Sequence, residues 1–234
     1  MPRSITPPLL AFALLLAASP ARAEGPSDAD VTRRLAFISS TLERGTVAAD
    51  RWWYGWYTGW TTLTTGEVVF AIAAKDRGFR VDSAVGAASC SLGVIPLAFA
   101  PFVPRTAAAS LRTLPGDTPE QRRRKLTVGE DLLRRSAARE SLGRSWVTHA
   151  LGITVSVAAG LILALGYKRP VTGTINIVTG IALTEAQIFT QPTAAIGAWK
   201  AYERGDFEAT AAATKPPRWT IVPQPTRIGF AALF

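Results

Sequence analysis

The stretch WWYGWYTGW, residues 52 to 60, decides how the rest of the chain is interpreted. It holds four of the seven Trp and two of the four Tyr of the chain in nine positions. Trp and Tyr bury an apolar body while keeping a polar tip wet, so this density is typical of a membrane–water boundary. The run opens an apolar stretch of membrane-spanning length, which predicts a membrane protein. We expect an aromatic belt at the outer membrane surface, with deeper members such as Trp60 packed on other helices; the belt residues are Trp52, Trp53, Tyr54 and Trp56.

The N-terminus has the three-part layout of a bacterial secretory signal peptide. Arg3 supplies a positive charge, an apolar run covers residues 8 to 18, and Ala21 and Ala23 form an Ala-x-Ala cleavage pattern. We expect residues 1 to 23 to be removed and the mature chain to start outside the cytoplasm. An uncleaved N-terminal anchor, which is the alternative, gives the same orientation.

Four apolar segments predict four transmembrane helices arranged as two hairpins. The first hairpin (51–104) contains segments 52–74 and 84–103, and the second (146–199) contains segments 146–167 and 171–191. The fourth segment either stops at Pro192 or continues to Trp199. The short turns 75–80 and 168–170 are basic, so the positive-inside rule places them in the cytoplasm.

Three further segments are expected outside the membrane. An amphipathic helix with a C-cap at Gly45 occupies most of residues 24 to 50. Residues 105 to 145 carry ten basic residues against five acidic ones, and Thr118 to Gln121 has the pattern of a capping box opening a helix. Residues 200 to 234 form a Pro-rich extended tail. The predicted fold class is therefore all-α: a four-transmembrane-helix bundle with amphipathic extramembrane helices and an extended C-terminal tail.

The end of the tail, TRIGFAALF at residues 226 to 234, alternates apolar residues with a period of two, which predicts a strand. It resembles the last strand of outer-membrane β-barrels, and this resemblance implies an outer-membrane location. The rest of the chain lacks the repeated alternating strands that a barrel requires. We therefore expect the bacterial inner membrane with both termini periplasmic, and keep the periplasm or the outer membrane as alternatives.

Composition limits the classes of partner and cofactor. The formal net charge is +9, but export and the lack of a nucleic-acid-binding motif argue against nucleic acid. The expected partners are the lipid bilayer and either an anionic lipid or an acidic protein. The anionic lipid or acidic protein would contact the basic block Arg122, Arg123, Arg124 and Lys125. The simpler interpretation of that block is a solvated helix face. Cys90 is the only cysteine and His149 the only histidine. We therefore expect no disulfide within the chain, no metal site and no cofactor.

Polar residues inside the apolar segments are the candidate functional residues, because charged groups at membrane depth are costly and often functional. Counting along the helices at about 1.5 Å per residue places Glu67 near the depth of Asn176, and His149 near that of Glu185. The simpler interpretation is that these residues hydrogen-bond the helices together.

No catalytic motif is present, so the leading hypothesis is a non-enzymatic structural or accessory membrane protein. A small transporter or proton-coupled protein that uses the buried carboxylates is the alternative. Small residues such as Gly152, Gly160, Gly173 and Gly180 would allow close packing within one chain or in a homo-oligomer.

Overall fold

A computed structural model describes residues 27–207 and the backbone of residues 218–224 and 227–233. The part up to residue 203 is helical, with a 3₁₀ turn at Val103–Arg105 and a π-helical turn at Ile162–Gly166. The signal peptide predicted for residues 1 to 23 lies outside the described residues. The helices are α1 (Asp28–Ala73), α2 (Arg77–Phe99), α3 (Ala107–Arg112), α4 (Pro119–Gly143), α5 (Trp146–Leu161), α6 (Pro170–Thr190) and α7 (Ala194–Glu203).

The tail contains two strands, β1 (Arg218–Gln224) and β2 (Arg227–Leu233), which pair antiparallel. The second strand lies in the segment for which alternation predicts extended backbone. Its pairing with β1 was not predicted from the sequence. Phe234 lies outside the described residues.

Helix α1 is continuous over 46 residues, about 69 Å. The predicted helix end at Gly45 is therefore wrong, and the amphipathic helix and the first apolar segment are one element. A glycine ends a helix when the backbone turns left-handed there. The residues after Gly45 are all compatible with helix and include no proline, so the helix absorbs a cost of about 1 kcal/mol for the glycine and continues.

The first half of α1 packs with α3, α4 and α7 around a buried core, and we call this part the head. Its core consists of aliphatic side chains together with Phe37 and Tyr202. Helix α4 begins with the predicted capping box, in which the Thr118 hydroxyl accepts from the Gln121 backbone N–H at 3.2 Å. The fourth apolar segment ends at Thr190, before Pro192, because the residue preceding a proline avoids helical backbone; Gln191 is extended.

The second half of α1 pairs with α2, and α5 pairs with α6; we call these two hairpins the bundle. Helices α5 and α6 approach closely at glycines. A Cβ at Gly160 would lie 2.5 Å from the carbonyl oxygen of Gly173, and the converse distance is also 2.5 Å. Added Cβ atoms at Gly152 and Gly180 would meet Thr184 and Ser156 at 2.1 and 2.7 Å. These small residues therefore form a contact between two helices of the same chain.

The outer surface of the bundle is apolar. Two helices, α2 and the stretch Trp146–Gly166, are long and apolar enough to cross a membrane. Only 22% of the most apolar 18-residue stretch of each is buried inside the protein. The core helix of a soluble protein would be mostly buried, so these two helices are instead consistent with contact with lipid. The other two predicted spans, the second half of α1 and helix α6, do not have this composition. Large exposed side chains on the bundle include Val69, Ile72, Phe79, Phe99, Leu151, Leu165, Val171, Val178 and Phe189.

The two short basic turns lie at the same end of the bundle. The Arg169 guanidinium, which follows α5, donates from Nε and Nη2 to the two carboxylate oxygens of Asp82 on α2, at 2.8 and 2.7 Å. It also covers Gly78, where a Cβ would lie 2.1 Å from Nη1. The two hairpins are thus tied together at the end that lies away from the head.

Candidate functional site

The four Trp of the aromatic run hold the helices of the bundle together. Trp52 and Trp60 donate their indole N–H groups to the backbone and side-chain oxygens of Gln187 on α6, each at 3.0 Å. Trp56 donates to the hydroxyl of Thr190 at 2.9 Å, and Trp53 to the carbonyl of Leu97 on α2 at 3.0 Å.

The two backbone acceptors lie where helices end. Leu97 and Gln187 belong to the last turns of α2 and α6, and carbonyls in a last turn lack amide donors from their own helix. The Trp53 indole therefore satisfies the Leu97 carbonyl, while the Gln187 carbonyl accepts from both Trp52 and the Thr190 hydroxyl, the latter at 3.2 Å. Trp60, expected to pack on other helices, is buried and lies against α2 at Gly93. A belt of Trp52, Trp53, Tyr54 and Trp56 at a membrane surface stays a prediction.

Arg105 covers the start of the aromatic run. Its guanidinium carbon lies 3.8 Å from the ring centroid of Trp53 and 4.7 Å from that of Tyr54, while its Nε donates to Asp50 at 2.8 Å. The quadrupole of an aromatic ring attracts a guanidinium over its face, and Asp50 balances the charge of Arg105. The contact anchors the chain that leaves α2 onto α1, at the junction of head and bundle.

His149 and Glu185 meet as their similar predicted depths suggest. The His149 Nδ1 atom lies 2.9 and 2.8 Å from the two carboxylate oxygens of Glu185, across the α5–α6 contact. Both side chains are about three-quarters buried, and the imidazole also lies beside the ring of Phe189. A hydrogen-bonded imidazole and carboxylate can exchange a proton or stabilise the helix pair, and the geometry is compatible with both.

Glu67 and Asn176 do not form the second pair that their depths suggest. The Glu67 carboxyl lies against α2, where a Cβ at Gly86 would be 2.9 Å from its Cδ atom. No hydrogen bond in the described part of the chain involves the Glu67 or Asn176 side chain. Depth alone does not decide whether residues meet, because the direction in which each side chain leaves its helix matters as much.

Glu140 is a buried carboxylate that sequence reasoning missed. Its side chain is 2% exposed and accepts a hydrogen bond from the Ile196 backbone N–H, in the first turn of α7, at 3.1 Å. Burial raises the pKa of Glu140 to about 7, against the opposing effects of the α7 amides and Arg144. The available signal was its spacing, since Glu140 follows Leu126 and Leu133 on the buried stripe of α4 at intervals of seven.

The end of α4 is tied to the chain that leaves α6. The Gln191 side chain donates to the Glu140 carbonyl oxygen at 2.9 Å. Arg144 donates to the carbonyl oxygens of Phe189 and Gln191 at 2.7 and 3.0 Å. These bonds join the head to the second hairpin at the point where α6 gives way to α7.

Three of the four side chains of the basic block 122–125 are bonded within the head, two of them to carboxylates. Arg122 pairs with Asp28 at 2.5 Å, Arg124 with Glu120 at 2.6 Å, and Lys125 donates to the Leu114 carbonyl at 2.8 Å. Because Arg122 contacts the first residue of α1, the block lies about 36 Å along that helix from Trp52. It is therefore at the end of the head that faces away from the bundle.

The chain matches no protein-family model, no curated protein and no solved structure. The contacts between its own residues are thus the basis for a functional proposal. Two features stand out in the bundle, the indole donors that close helix ends and the His149–Glu185 pair.

Proposed function

We propose that this chain is an exported integral membrane protein of the bacterial inner membrane with a non-enzymatic structural or accessory role. Four spans would hold the helical head at the periplasmic surface, with both termini on that side. The observation that carries this proposal is the arrangement of the bundle, with large apolar side chains outside and polar groups bonded between helices inside. In lipid, polar groups are satisfied within the protein and apolar groups face the acyl chains.

The membrane part of the proposal is tested by fractionating cells and washing the membranes with alkaline carbonate. A four-span protein stays in the pellet, because carbonate strips peripheral proteins without extracting transmembrane helices. Release into the soluble fraction would overturn the proposal in favour of a periplasmic helical protein whose apolar helices bury against one another. Recovery with the outer membrane would favour the location implied by the tail.

A small proton-coupled transporter is the second candidate, and the His149–Glu185 contact favours it. The purified protein is reconstituted in vesicles containing a pH-sensitive dye, and proton flux is compared between wild type and Glu185→Gln. Gln retains an oxygen that can accept from His149 but lacks the carboxyl group that could carry a proton. A structural role predicts the same background flux in both proteins; flux above that of empty vesicles that is lost in the variant would favour transport.

A further inference from the structure

The end of the bundle away from the head carries four exposed cations that have no partner among the described residues. Lys75, Arg77, Arg80 and Lys168 come from the two short turns and the start of α2. None of their charged groups makes a hydrogen bond or an ion pair with any described residue. Arg169 instead pairs with Asp82 and also feels the charge of Asp76, whose side chain accepts from the Phe79 backbone N–H at 2.7 Å.

The Arg169–Asp82 pair brings the cations of the two turns together. Arg169 lies over Gly78 in the first turn of α2, so its neighbour Lys168 lies at the same end of the bundle as the cations of the first turn. Lys168 itself has a left-handed backbone, with φ of 57°. A non-glycine residue in this conformation costs about 1 kcal/mol, so the turn tolerates strain at a position where it carries a charge.

Apolar side chains lie directly beside these cations. Phe79 on α2 and Val171 at the start of α6 are exposed, and so are Ile72 and Leu165 near the preceding helix ends. Cations that follow an apolar helix surface by about one turn lie at the level of lipid headgroups when the helices are in a bilayer. Phosphate oxygens are the acceptors that such cations meet there.

The block Arg122 to Lys125 offers a contrast. Three of its four side chains are bonded within the head, and the block lies about 36 Å from the aromatic run. That distance is several Debye lengths at physiological ionic strength, so attraction to the bilayer around the bundle is screened there. The four cations of the turns are therefore better placed to contact lipid headgroups than the contiguous block 122–125.

We propose that the turn end of the bundle binds the headgroups of anionic phospholipids through Lys75, Arg77, Arg80 and Lys168, and that the block 122–125 does not take part. The inference rests on the proposed insertion of the bundle into a membrane. Each cation near an anionic surface strengthens binding about fivefold. Four such factors multiply to about 600-fold at an anionic membrane surface, so in detergent a preference for anionic over neutral lipid of at least about tenfold is expected.

The test is native mass spectrometry of the full-length protein in detergent, mixed with equal amounts of phosphatidylglycerol and phosphatidylcholine. Wild type is expected to retain phosphatidylglycerol preferentially, and the turn variant Lys75→Gln, Arg77→Gln, Arg80→Gln, Lys168→Gln to lose that preference. The matched control removes four exposed arginines of α4 and is expected to behave as wild type; it carries Arg123→Gln, Arg124→Gln, Arg134→Gln and Arg135→Gln. A preference that survives in the turn variant, or that disappears equally in the control, overturns the proposal.

Three further measurements distinguish a failure of lipid binding from a failure of membrane insertion. If the turn variant does not fold, the wild-type preference is measured against salt, and a preference that does not weaken overturns the proposal. Glycerol 1-phosphate at millimolar concentration should not compete, since competition would show a site for a soluble phosphate compound rather than a lipid surface. Carbonate release of wild type would refute membrane insertion itself, whereas retention without a lipid preference would refute only this inference.

Discussion

Replacing Glu140 by Gln should remove a pH dependence from the stability of the head. Glu140 has a pKa of about 7 in the fold, whereas a carboxyl exposed by unfolding titrates near 4.5. Between these two pH values the folded chain binds more protons than the unfolded chain, so stability falls as the pH rises and levels off above about 7. The difference between the two pKa values corresponds to about 3 kcal/mol of lost folding free energy.

The substitution keeps the contact that the carboxylate makes. The Gln side-chain oxygen can still accept from the Ile196 N–H, while the ionisable group is gone. We therefore expect the melting temperature of wild type in detergent to fall relative to that of Glu140→Gln between pH 4.5 and 7. For a chain of this size, about 3 kcal/mol corresponds to a shift on the order of 6–12 °C.

The assay is thermal unfolding followed by circular dichroism over that pH range. Glu203→Gln is the matched control, because Glu203 is exposed at the end of α7 and its substitution removes the same charge. Its melting temperature should follow that of wild type at every pH. Parallel curves for wild type and Glu140→Gln would refute the argument, since they would mean that Glu140 titrates in the fold as it does in the unfolded chain.

Two substitutions test the contacts within the bundle. Gly160→Ala places a methyl group 2.5 Å from a carbonyl oxygen of α6 and should cost about 1–3 kcal/mol in detergent unfolding. Gly197→Ala meets nothing within 4 Å inside α7 and should instead stabilise the fold by up to about 1 kcal/mol. Equal stability of the two variants would contradict the close α5–α6 approach. In a double-mutant cycle on the free energy of unfolding, Trp60→Phe and Gln187→Leu should show a coupling of about 1 kcal/mol, because the cycle isolates one hydrogen bond. Additive effects of the two substitutions would mean that this bond contributes nothing to stability.

Features set by local chemistry could be predicted from the sequence. The capping box at Thr118 needs only four consecutive residues, and the structure contains it. The His149–Glu185 contact could be found by counting, since the rise of a helix is constant and two helices of a hairpin share one depth scale. Those two side chains also leave their helices on facing sides, and counting depth does not ensure this. Glu67 and Asn176 have similar predicted depths but do not meet.

Features set by tertiary packing could not be predicted in the same way. Gly45 has the residue type of a helix end, yet no local signal distinguishes a glycine that turns the chain from one that the helix passes through. Likewise the run Arg122 to Lys125 looks like a free basic patch, and only the fold brings Asp28, from the start of α1, to Arg122. Glu140 was overlooked because buried carboxylates are rare, although its place on the apolar stripe of α4 was visible.

The continuity of α1 has a mechanical consequence for the whole chain. One unbroken helix passes from the core of the head to the bundle, so a rotation of the head about this axis must twist α1 or carry the bundle with it. A second connection, from Arg144 to the carbonyls at the end of α6, fixes the head at another point. The chain also passes between head and bundle after α2, α4 and α6, so the rotation that a single helix would allow is removed. The head should therefore move with the bundle as one body, and the Glu140 carboxyl, one turn before Arg144, lies where a change of charge would act on the second attachment.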